Sequence, residues 1–148
     1  EMYNYLNIGI GYTLPFATFA EEWVDADRLK EVLDSYEVPG VAWRTVHYKP
    51  TSGRLSGKLI HGVQYYYTDY EAATITLTQF YVMQAVWELY GKNPFVLSAE
   101  RIPMFNKVCG TDFVSNTFGQ SLKVSDIADF WCADAETFKR LSAKYYLY

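Results

Sequence analysis

Two carboxylates held roughly 5–10 Å apart can cleave a glycosidic bond, one as the acid and the other as nucleophile or base. The carboxylates near predicted loops are Glu1, Glu21, Glu22, Asp25, Asp69 and Glu71. Several have simpler uses. Asp25 reads as a helix cap, because an apolar helical pattern starts directly after it. Asp69 follows a predicted strand and reads as a turn or cap residue. Glu21 and Glu22 are adjacent, which suits a solvated pair. His47 and His61 fall in different predicted strands, and Cys109 and Cys132 are not clustered with them. These four do not make a zinc site, and no metal is expected. The chain has no Gly-x-x-x-x-Gly-Lys-Ser/Thr loop, no Gly-x-Ser-x-Gly elbow and no His-Glu-x-x-His. No cofactor is expected either.

The aromatic content carries the other chemical signal. There are 14 tyrosines and 4 tryptophans, side chains whose apolar body and polar tip suit sugar-stacking clefts and interfaces. Most of them are expected in an ordinary core and its rim. Net charge is −4 with the cations scattered, so a nucleic-acid partner is not expected. Cys109 and Cys132 sit in apolar helical contexts and read as buried free thiols, with a single disulfide the other arrangement two cysteines allow.

The elements that must position these groups follow from periodicity. Residues 1–22 read as loop or irregular strand, with Gly9 and Gly11 marking a bend and Pro15 holding Leu14 extended. Asp25 caps a helix carrying Leu29, Val32, Leu33 and Tyr36. Pro39-Gly40 ends it. Val41–Tyr48 and His61–Thr68 read as strands, with Val63, Tyr65 and Tyr67 on one face. The longest helix spans about Ile75–Tyr90 and closes at Gly91. Pro94-Phe95 opens an irregular stretch. Short helices follow at Pro103–Val108, at Phe113–Phe118 capped by Thr111, at Asp126–Trp131 capped by Ser125, and at Ala135–Lys144. Two or three strands with helices segregated after them predict an α+β fold: a small mixed or antiparallel sheet with a helical C-terminal third.

The length of 148 residues suits a single domain. No stretch reaches the ~20 apolar residues that span a bilayer. The sequence opens on Glu1-Met2-Tyr3-Asn4-Tyr5 rather than on a small polar terminus. Residue 1 is therefore expected to be a boundary inside a longer protein, with any targeting signal upstream of it.

Several segments, in order, resemble the C-terminal domain of the NamZ-type exo-β-N-acetylmuramidases, a peptidoglycan-degrading glycosidase family. They are Gly9-Ile10-Gly11-Tyr12-Thr13-Leu14-Pro15-Phe16, Trp23-Val24-Asp25, Pro39-Gly40-Val41-Ala42-Trp43-Arg44, Lys49-Pro50-Thr51, His61-Gly62-Val63-Gln64 with Thr68-Asp69, Gly110-Thr111-Asp112 and Lys144-Tyr145-Tyr146-Leu147-Tyr148. The resemblance implies a second, N-terminal Rossmann-like domain bearing a Pro-Glu-His-Gly motif that supplies a catalytic carboxylate. This chain lacks that motif. It also departs from the family's opening pattern: Ile10 and Leu14 stand where arginines are usual, and Tyr12 replaces a threonine.

What the resemblance implies is a cleft-wall domain for peptidoglycan-derived sugars. Glu1 is the acid/base candidate. Asn4, Gly9, Gly11, Thr13 and Asp69 are the substrate-binding candidates. The implied partner is the N-terminal domain of the same protein, and the implied location is the cell envelope, periplasmic or secreted. The other reading of the same residues is a non-catalytic carbohydrate-binding, interaction or structural module.

Overall fold

The computed structural model describes residues 5–147. Its sheet has three antiparallel strands, β1 (Thr18–Glu21), β2 (Val41–Tyr48) and β3 (Ile60–Tyr67), in the order β1-β3-β2. The helices are α1 (Ala26–Ser35), α2 (Thr78–Tyr90), α3 (Pro94–Leu97), α4 (Ile102–Cys109), α5 (Phe113–Ser121), α6 (Ala128–Cys132) and α7 (Ala135–Ser142). The fold is α+β, with a helical C-terminal part, as its sequence pattern predicts.

Local chemistry explains most boundaries. The Asp25 carboxylate accepts the Asp27 and Arg28 amides, each at 3.1 Å, and so starts α1. The Tyr90 hydroxyl accepts the Asp25 amide at 2.9 Å, fastening the start of α1 to the end of α2. Gly91 and Gly110 close α2 and α4 in the left-handed conformation.

Other boundaries differ from expectation. Thr18–Glu21, within the stretch expected as loop or irregular strand, is a regular buried edge strand; Phe19 pairs with Val63 and Glu21 with His61. Pro94 opens a short helix, because Asn93 Oδ1 accepts the Phe95 amide at 2.8 Å and Pro stands at the first turn. Thr111 Oγ1 accepts the Phe113 amide at 3.1 Å. Yet α5 runs past Gly119 to Ser121, and Leu122, not a glycine, supplies the left-handed stop. Ser125 caps nothing; it lies within a 3-10 turn ahead of α6. Cys109 is half-buried, Cys132 is exposed and both are free. Burial pushes the Cys109 thiol up.

Three apolar clusters form the interior. One face of the sheet (Phe19, Trp43, Val63) packs on Leu29 and Leu33 of α1 and on Val82, Ala85 and Val86 of α2. The opposite face (Ala20, Val46, Tyr48, Ile60) is covered by Leu55 and Tyr12. The helical part closes around Phe80, Met83, Phe95, Phe105, Val114, Phe118 and Ile127. Helix α2 serves the first and third clusters at once, which is why it is apolar nearly all round.

Candidate functional site

The opening loop, Tyr5–Ala17, wraps the edge strand and is braced from within. Asn7 exchanges two backbone hydrogen bonds with Ala20, at 2.8 and 2.9 Å. The Asn7 side chain is buried and bonded through both its oxygen and its nitrogen. Its Oδ1 accepts the Gly9 amide at 2.7 Å and the Tyr48 hydroxyl at 3.0 Å, while its Nδ2 donates to the Ile10 carbonyl at 3.1 Å. Thr18 Oγ1 lies 3.1 Å from the same Tyr48 hydroxyl. Burial pushes that phenol's pKa up. Tyr12 stacks on the Tyr48 ring at 3.9 Å between centroids.

The loop's glycines are where the chain comes too close for a side chain. Gly9 has φ +89°, and a Cβ there would lie 2.3 Å from the Leu14 carbonyl oxygen. Gly11 has φ +77°, and its Cβ would lie 2.7 Å from both the amide nitrogen and the carbonyl oxygen of Ser52. The Gly11 carbonyl accepts the Thr51 amide at 2.8 Å and its hydroxyl at 3.1 Å. Thr13 is exposed on this turn.

The loop returns at Phe16, a non-glycine residue at φ +63°. A left-handed residue of this kind costs roughly 1–2 kcal/mol. Two hydrogen bonds hold it: its amide donates to the Ile8 carbonyl at 2.7 Å, and its carbonyl accepts the Tyr65 hydroxyl at 2.9 Å. The result is a ring left 67% exposed on a fixed backbone. It stands over a cleft of about 300 Å³ walled by Phe19, Tyr65, Tyr67, Thr76, Thr78 and Gln79. The Tyr67 hydroxyl donates to the Ile75 carbonyl at 3.2 Å, and the Trp131 indole donates to Thr76 Oγ1 at 2.7 Å. The surface thus offers aromatic faces beside hydroxyl and amide groups.

Asp69 lies two residues beyond Tyr67, past the same end of β3. Its carboxylate accepts the Glu71 and Ala72 amides at 2.9 and 3.2 Å and closes its own turn. Glu21 is the buried acid. It is 2% exposed, paired with Arg54, and accepts the Glu22 amide at 3.0 Å. The antiparallel register sets His47 opposite His61, with the two Nδ1 atoms 2.7 Å apart. Among the described residues no three His, Cys, Asp or Glu side chains come together to hold a metal. Glu1 and Asn4 lie outside the described residues.

The sequence model of the family described as "Exo-beta-N-acetylmuramidase NamZ, C-terminal" matches residues 1–148. The chain belongs to this NamZ C-terminal family. A curated relative, "Peptidoglycan beta-N-acetylmuramidase NamZ" of Bacillus subtilis (strain 168), is 28% identical over 95% of this chain. The crystal structure of a DUF1343 family protein from Bacteroides fragilis superposes with a TM-score of 0.89 at 38% identity over 99% of this chain. The chain spans 33% of the first protein and 39% of the second.

Within the NamZ frame, the residue that sequence reading missed is Asn7. The signal was present: an Asn two residues ahead of a glycine is the pattern of a side chain that bonds its own backbone. Phe16 belongs to the Gly9–Phe16 segment that carries the family resemblance, but nothing in the sequence marks its exposure or its left-handed conformation. Gly9, Gly11 and Thr13 are brought together on one turn. Asp69 is set apart from that turn, past the Tyr67 end of β3.

Proposed function

We propose that this chain is the C-terminal part of a peptidoglycan-acting glycoside hydrolase of the exo-β-N-acetylmuramidase type, and that it walls the substrate cleft. Phe16 carries the reading: an exposed aromatic ring, on a left-handed backbone fixed by Ile8 and Tyr65, stands over a cleft lined with aromatic rings and hydroxyls. Strained residues fixed by their surroundings concentrate at ligand-contacting sites. The NamZ relatives supply the substrate class, since the curated one is named a peptidoglycan β-N-acetylmuramidase. In this reading the Gly9–Thr13 turn is the rigid frame that aims Phe16. Glu1 is the acid/base candidate, and Asn4, Thr13 and Asp69 are polar contacts. The main catalytic carboxylate belongs to a preceding domain of the same polypeptide, acting in the cell envelope.

The test measures release of N-acetylmuramic acid from a chromogenic β-muramide, by the longer polypeptide and by the 148-residue chain. Turnover by the longer polypeptide alone supports the reading. A longer polypeptide that neither cleaves nor binds muramides sinks it; binding without turnover would instead favour a carbohydrate-binding module.

A further inference from the structure

The last helix is built to be covered, and nothing among the described residues covers it. All of α7 is exposed except the half-buried Ser142. Phe138 is 70% exposed, Leu141 64% and Tyr145, in the turn that follows, 72%. Their spacing of three and then four residues puts them in one stripe. Glu136, Lys139 and Arg140 fall on the opposite side. A helix with one apolar and one charged face buries the apolar one. One of eight residues is marginal in water without that burial, since isolated helices shorter than ~12–15 residues barely form.

We infer that the Phe138–Leu141–Tyr145 stripe is the docking surface for the preceding domain of the same polypeptide. This rests on the reading above that the chain is one part of a longer enzyme. Length argues for that occupant: the similar proteins carry about three-fifths to two-thirds of their residues beyond the matched region, given coverages of 39% and 33%. Order argues for it too: the family model that this chain matches is described as C-terminal, so the remaining residues of such proteins precede this region.

Hydrogen exchange tests this in the 148-residue chain and in the longer polypeptide that carries it. Amides 138–145 should exchange at least tenfold more slowly in the longer polypeptide. Phe138→Asp and Leu141→Asp should leave the melting temperature of the 148-residue chain unchanged, which shows that they fold. In the longer polypeptide they should restore fast exchange. Equal exchange in the two proteins overturns the inference. So does protection in the short chain that grows with its concentration, which would assign the stripe to a second copy. So does co-sedimentation of the short chain with phosphatidylglycerol–phosphatidylethanolamine vesicles, abolished by Phe138→Asp. Protection in a polypeptide that cleaves no muramide leaves the docking surface standing and removes the enzymatic reading instead.

Discussion

The side chains of Asn7 and Tyr48 meet at 3.0 Å across 41 positions of sequence, and that hydrogen bond ties the opening loop to the end of the outer strand β2. The same Asn7 oxygen accepts the Gly9 amide. Removing it leaves the Gly9 amide without an acceptor and the Tyr48 hydroxyl with Thr18 Oγ1 alone. Such a loss costs about 1–3 kcal/mol. Asn7→Ala should therefore lower unfolding free energy by roughly 1–3 kcal/mol, and Tyr48→Phe by a similar amount, about 1–3 kcal/mol, because it also takes the partner from the buried Thr18 hydroxyl. Urea denaturation of both variants checks this. An Asn7→Ala protein as stable as the parent would mean the loop is held by its backbone alone.

Arg54 and Lys58 both pair with acids, but unequally. Glu21 is 3% exposed in its side chain, whereas Glu22 is 46% exposed. Arg54→Ala strands a buried charge, and Lys58→Ala exposes a charge already in water. Half-exposure of Arg54 itself (58%) discounts the usual penalty for breaking a buried pair. The expected costs are about 1–3 kcal/mol for Arg54→Ala and about 0–1 kcal/mol for Lys58→Ala. Equal thermal shifts for the two would show that Glu21 finds water in the folded chain.

Burial raises the pKa of Tyr5, Tyr36, Tyr48, Tyr65, Tyr81 and Tyr90. A group whose folded pKa is raised favours the folded state below its unfolded value, about 10 for tyrosine. That contribution is lost as pH climbs from there through the folded value. Stability should hold up to about pH 10 and fall above it. Absorbance at 295 nm should show these six ionising only as the circular dichroism signal collapses. A single smooth titration of all 14 tyrosines in a still-folded protein contradicts the assignment.

Phe16→Gly separates strain from function. Glycine adopts φ > 0 without a steric cost, so the 148-residue chain should become no less stable. In the longer polypeptide the same change removes the ring over the cleft. A loss of roughly tenfold in kcat/KM on a muramide corresponds to about 1.4 kcal/mol of lost contact. Destabilisation of the short chain would show that the ring packs rather than recognises.

Much of the fold was legible in the sequence because its signals were local. Asp25 announces α1, the β-branched and aromatic run of Val41–Tyr48 announces β2 at its observed bounds, and Gly91 closes α2. What stayed hidden depends on partners distant in sequence. Thr18–Glu21 is a strand because β3 lies beside it, and four residues carry too little alternation to say so alone. His47 and His61 meet only once the register of β2 against β3 is fixed. The candidate site divides the same way. The glycines of the opening loop mark themselves, and Asn7 carries a local signal. The left-handed Phe16 is imposed by Ile8 and Tyr65, and nothing in the Leu14-Pro15-Phe16 run foretells it.

Helix α2 has a further consequence. Phe80 and Met83 belong to the helical cluster, while Val82, Ala85 and Val86 belong to the sheet's. The two halves have no separate floor. Each residue of α2 is answerable to neighbours encoded before it and after it. A repacking change in one half must be negotiated through a side chain one position from the other. The polypeptide is therefore indivisible at the place where its sequence looks most divisible, the passage from strands to helices.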